Sequence, residues 1–277
     1  MFCKGAIPMI QGRIFFYVQL LQGGGSIKNR TVIIAFLLFC VGLLIVSIPT
    51  FSGMQLEVKA EQAAAAFYER HLPSNDETPS SEPSEGGVLL YPELYEAMKD
   101  YNAELYRTHQ AGLTDAWAYQ APVLELSDYG VDDDVFGTIS IPKLSVTLPL
   151  YLGATEEHMA LGAAQLSQTS FPIGGENTNA VIAGHRGWNG YPYFMDIEKL
   201  QKGDTVTIRN LWGELTYKVT EIRIVYPDDI EAILIQEGKD MITLMTCHPP
   251  NSGGKYRYLV FCERTETTGG DAPVFIP

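Results

Sequence analysis

From residue 31 to residue 56 the chain carries no charge, and 32–48 is almost wholly apolar. A helix of about 20 such residues spans a hydrocarbon core of roughly 30 Å, so the pattern predicts a transmembrane anchor over 31–50. Residues 57–70 are strong helix formers and read as a stalk helix. The stretch 73–87 is proline, serine and acid with nothing to bury, which predicts a solvated linker. A helical period returns over 92–109, with Leu94, Met98, Tyr101 and Leu105 on one side and Gly112 as a stop. Stalk helices and an acidic Pro/Ser linker thus occupy 51–110, and a connector fills 111–134.

From Val135 the period shortens to that of strands. Segments 136–141, 146–151, 179–184, 204–209, 214–226, 241–246 and 256–263 are rich in β-branched and aromatic residues, with glycine, proline or asparagine in most gaps. Helical turns fit at 156–161, 194–200 and 228–234. Many short strands in one chain predict a mostly β domain over 135–266, a closed barrel or a sandwich, followed by a polar tail, 267–277.

Charge sharpens this reading. The net charge of −14 excludes a nucleic-acid surface, which needs an excess of Lys and Arg. Residues 1–30 hold Lys4, Arg13, Lys28 and Arg30 and no acid. Positive residues before an apolar span put 1–30 in the cytoplasm and everything after residue 50 outside. A cleaved signal peptide is the competing reading, but the apolar run is longer than a signal core and no clear small-x-small site closes it.

Of four cysteines, only Cys247 and Cys262 reach the outer domain, too few for a disulfide scaffold. Zinc ligation by Cys247, His248 and Cys262 lacks the paired spacings of zinc motifs, and no cofactor or metal is expected. Cys247 sits where a strand gives way to the turn-forming His248-Pro-Pro-Asn-Ser-Gly-Gly254, a position suited to a nucleophile that becomes active as thiolate. Of five histidines, His71, His109 and His158 fall in stalk or helix segments, and His248 must point away from its neighbour Cys247 on an extended backbone. His185, brought to a strand end by residues 179–184, is the best acid–base candidate. Arg257, ten residues beyond the cysteine, can return beside the thiol if the two strands pair and stabilise an oxyanion there; Arg186 and Lys255 are rivals of the same charge.

Three motifs in order, Phe171-Pro-Ile-Gly-Gly-Glu-Asn-Thr-Asn-Ala-Val-Ile-Ala-Gly-His-Arg-Gly187, Thr243-Leu-Met-Thr-Cys247 and Tyr256-Arg-Tyr-Leu-Val260, resemble those of the sortases over about residues 91–264, and most resemble the class C, pilin-polymerising members. The resemblance implies a sortase-like eight-stranded β-barrel with short helices, preceded by the transmembrane helix and stalk, and a membrane-held transpeptidase acting outside the cell. Its substrate would be a Leu-Pro-x-Thr-Gly-like sorting signal on a surface protein or pilin. Cys247 would form the thioester, His185 move protons and Arg257 hold the oxyanion. The acceptor amine would come from a pilin lysine, or from a cell-wall peptide in an anchoring enzyme. It also implies a lid in which Asp115 approaches Arg257 and Trp117 covers Cys247, although Ala116 stands where the class C pattern has proline. The polar tail departs from class C chains that carry a second membrane helix. Two other readings remain: a non-catalytic membrane-tethered β-domain with an inert core cysteine, and a cysteine protease in which water completes the reaction.

Overall fold

The computed structural model describes residues 29–71, 88–113, 118–188, 190–265 and 275–276. The segment 1–28, the stretch 73–87 expected to be a linker, and Asp115 and Trp117, expected to belong to a lid, lie outside the described residues. In chain order the elements are α1 (Asn29–His71), β1 (Val88–Leu89), α2 (Pro92–Arg107), β2 (Val135–Ile141), β3 (Val146–Leu152), α3 (Glu156–Leu161), β4 (Ala163–Gln165), β5 (Thr178–Ala183), β6 (Thr205–Asn210), β7 (Gly213–Val225), β8 (Asp240–His248), β9 (Tyr256–Arg264) and β10 (Phe275–Ile276).

Strands β2 to β9 close into a barrel in the order β2-β3-β4-β5-β8-β9-β7-β6. The seven strands expected from periodicity are present within a residue or two of their predicted ends. The strand that closes the barrel, β4, is Ala-Ala-Gln and has no β-branched or aromatic residue to announce it. It forms because β3 pairs with it in parallel and β5 pairs with it antiparallel, so backbone pairing supplies what propensity lacks. α3 makes the crossover between β3 and β4; Thr155 caps it, its hydroxyl accepting from the His158 N–H at 3.0 Å.

Every residue of β5 is buried, as expected of a strand covered on both faces. Its outer side is closed by polar anchors: Asn179 Nδ2 donates to the Ile233 carbonyl at 2.9 Å and Thr243 Oγ1 to Asn179 Oδ1 at 2.8 Å. In β2, Gly137 lies so near β6 that a Cβ there would meet the Arg209 carbonyl oxygen at 2.2 Å, and the β2–β3 register shifts at the same point.

The helices differ from expectation in one respect. Residues 57–70 do not form a separate stalk; they continue α1 and lie against the barrel wall. Ala60, Ala64 and Phe67 are buried, an apolar stripe at helical spacing, while Tyr68 and Thr138 share a hydroxyl hydrogen bond of 2.8 Å and Arg70 pairs with Asp133. α2 buries Leu94, Met98 and Asn102. The Asn102 amide both donates to and accepts from the Phe171 backbone, at 3.2 and 2.8 Å, which ties α2 to the loop before β5. Within the expected polar tail, β10 pairs with β1.

In the N-terminal part of α1, apolar side chains from Val32 to Ile45 are exposed. Among the described residues no helix is long and apolar enough to cross a membrane; within the apolar run, side chains are described only over 32–45.

Candidate active site

Three neighbouring strands bring the predicted residues together. On β8 and β9, Cys247 lies directly opposite Arg257, and residues opposite in an antiparallel pair point to the same face. On the other side, β5 runs parallel to β8 with Ala183 beside Met245. The pairing continues past the end of β5, because the Gly184 N–H donates to the Met245 carbonyl at 3.0 Å and Thr246 Oγ1 donates to the Gly184 carbonyl at 2.7 Å. His185 follows Gly184 directly, at the same end of the sheet as Cys247 near the end of β8. An imidazole, a thiol and a guanidinium are therefore gathered at the adjoining ends of three strands.

Each member is held by its surroundings. Arg257 is 5% exposed, and its Nη1 donates to the carbonyls of Gly254 at 2.7 Å and Tyr256 at 3.3 Å. β8 ends at His248, one residue past Cys247, so the cysteine lies where the strand gives way to the 249–255 turn. Cys247 is disulfide-bonded in the structure, and its nucleophilic form is the reduced thiol, as thiolate. His185 is 7% exposed; Trp188 stacks on its ring at 4.9 Å and Tyr193 meets it edge-on at 5.8 Å. The tight packing begins one residue earlier: a Cβ on Gly184 would fall 2.6 Å from the Phe194 ring.

Burial pushes the His185 imidazole down from 6.5 to about 4, since desolvation penalises the charged form. Between about pH 4 and pH 6.5 the native state keeps His185 neutral while the unfolded chain takes up a proton there, so stability is lost as pH falls through that window. Urea unfolding at pH 7.5 and pH 4.5 should show the parent protein losing more stability than His185→Gln, by up to about 3 kcal/mol. Equal losses in the two proteins would mean that His185 is not desolvated.

The rival groups sit elsewhere. Arg186 pairs with Glu198 at 2.9 Å; Nδ1 of His248 lies 3.1 Å from the same carboxylate. Lys255 lies 5.2 Å from the Tyr256 ring. His158 stacks on Tyr151, its Nδ1 2.8 Å from the Gly153 carbonyl. Cys262 is a free, buried cysteine opposite Ile242, far down the ladder from Cys247, and burial pushes its thiol well above the usual range. Among the described residues no group of three or more His, Cys, Asp or Glu is arranged to hold a metal. Sequence reasoning missed Trp188, Tyr193 and Glu198; the aromatic density of Trp188-Asn-Gly-Tyr-Pro-Tyr-Phe194 beside His185 was the available signal.

The family model described as the sortase domain matches residues 139–265. Sortase A of Bacillus anthracis is 29% identical over 230 residues, spanning 82% of this chain and 91% of that protein. Among solved structures, sortase C1 of group B Streptococcus pilus island 1 superposes with a TM-score of 0.62 at 27% identity, covering 76% of this chain and 100% of that one. Sortase C2 of the same pilus island gives 0.54 at 30% identity, covering 63% of this chain and 99% of its own.

Proposed function

The chain belongs to the sortase family of cysteine transpeptidases, and on that premise we propose that it is a class C type enzyme joining sorting-signal pilins through a lysine amine. The observation that carries the chemistry is the placing of Cys247 opposite Arg257 on β8 and β9, with His185 just past the end of β5, which pairs with β8. The likeness to sortases C1 and C2 of a streptococcal pilus island supports the pilin substrate.

Because His185 is neutral at ordinary pH, it acts first as a base. The Cys247 sulfur attacks the threonine carbonyl of the Thr-Gly bond as the thiol proton passes to the imidazole. The C–N bond then breaks, the imidazolium returns that proton to the departing glycine amine, and a thioester remains. A lysine amine attacks the thioester, loses a proton to His185, and expels the Cys247 sulfur, which takes the proton back. Arg257, fixed by two carbonyls, faces the oxyanion that forms at each attack.

The uncharged run at 31–50 anchors the enzyme in the membrane with its barrel outside the cell; the exposed apolar side chains between Val32 and Ile45 support this. Residues 112–119 act as the lid, with Asp115 toward Arg257 and Trp117 over Cys247. Asp115→Ala combined with Trp117→Ala should therefore speed labelling of Cys247 by a bulky thiol reagent and leave the barrel's melting temperature unchanged, since access to a covered thiol depends on the open population. An unchanged labelling rate removes the lid from this account.

The purified protein, incubated with a Leu-Pro-x-Thr-Gly peptide and either a lysine-bearing pilin peptide or a cell-wall peptide amine, should yield the lysine-joined product by mass spectrometry. Transfer to the cell-wall amine alone assigns a wall-anchoring role, and hydrolysis alone a protease.

A further inference from the structure

Each of the three proposed catalytic residues is followed in the chain by a residue of a second cluster: His185 by Arg186, Cys247 by His248, Arg257 by Tyr258. Those three followers meet one another. Glu198 lies 2.9 Å from Arg186 Nη2 through one oxygen and 3.1 Å from His248 Nδ1 through the other. The Tyr258 ring is 5.6 Å from the Arg186 guanidinium and 5.5 Å from the His248 ring. The turn that carries Glu198 is itself tied to the site, because the Phe194 N–H donates to the His185 carbonyl at 3.0 Å and the Ile197 N–H to the Phe194 carbonyl at 3.2 Å.

The arrangement is costly. The Arg186 side chain is only 4% exposed, and its Nε and Nη1 find no hydrogen-bond acceptor among the described residues. A buried, incompletely satisfied guanidinium costs more than an apolar residue of similar size, and one carboxylate that is 46% exposed offsets only part of that cost. Stability alone therefore does not account for the cluster, whereas geometry does: the segment after β5 is bonded to β8 only as far as Gly184, and His185 lies one residue beyond those bonds, outside the strand pairing.

We propose that Glu198 is a positioning residue which, by holding Arg186, the residue next to His185, sets the distance between His185 and Cys247. This deepens the proposed function, resting on its assignment of His185 and Cys247 as the reacting pair. A misplacement of about 1 Å at reacting groups can cost on the order of a hundredfold in rate.

The test uses the full chain. Glu198→Ala should lower kcat for cleavage of the sorting-signal peptide by about tenfold to a hundredfold, with KM and melting temperature nearly unchanged because the residue is half exposed and touches no substrate. Glu198→Gln, which keeps the shape and one acceptor oxygen, should recover part of the loss. A parental kcat in Glu198→Ala, a loss carried in KM, or a loss that tracks a fall in melting temperature overturns the proposal. Cleavage uses the same three residues whichever amine follows, so an error about the acceptor leaves this comparison intact.

Discussion

Cys247→Ala should abolish turnover and thioester formation, because no other described group can take the nucleophile's place. The only other thiol in the barrel, Cys262, is fully buried, and burial keeps it protonated far above ordinary pH. A thiol that cannot ionise cannot attack. Intact-mass measurement of the protein with a sorting-signal peptide should detect the acyl adduct on the parent and none on Cys247→Ala, while Cys262→Ala should form it at close to the parental rate. Equal loss in both cysteine variants would point to a joint structural role for the pair and end the nucleophile assignment.

The second large effect falls on the imidazole and the guanidinium. His185→Ala should slow turnover by about 10²- to 10⁴-fold, the usual worth of a positioned proton-transfer group. His248→Ala should lose far less, because its ring faces Glu198 on the other side of the sheet. Arg257→Lys should also be poor. Nη1 of Arg257 is spent on the Gly254 and Tyr256 carbonyls, and a single ammonium cannot hold those carbonyls and still offer the planar donor fork to an oxyanion; removing an oxyanion donor typically costs about 10²- to 10³-fold in kcat. Steady-state rates with one peptide across the three variants decide the ranking. A His248 variant slower than the His185 variant would reverse the assignment.

The strands and the residues at their ends were legible in the chain because their causes are local. Alternating β-branched and aromatic residues and the glycine and proline between them mark seven strands of the barrel, and the opposite facing of neighbours on an extended chain sets His248 on the side away from Cys247. The helical stripe of Ala60, Ala64 and Phe67 was also present in the sequence, but nothing local told whether it faced solvent as a stalk or the barrel wall.

What only the tertiary structure decided is who stands beside whom. A period of two tells which face a residue occupies, not which strand lies next to it. The parallel pairing of Thr178–Ala183 with Asp240–His248 joins segments separated by two intervening strands, and that register, not the spacing of His185 from Cys247, makes them neighbours. β4 exists because two partners flank it, since Ala163-Ala-Gln165 has no pattern of its own. Glu198 is one acid among the 33 acidic residues of the chain; its meeting with Arg186 and His248 depends on three separate segments folding to one point, which no local signal encodes. The sequence by itself therefore determined the parts and the side of the backbone each occupies, while long-range pairing decided their neighbours.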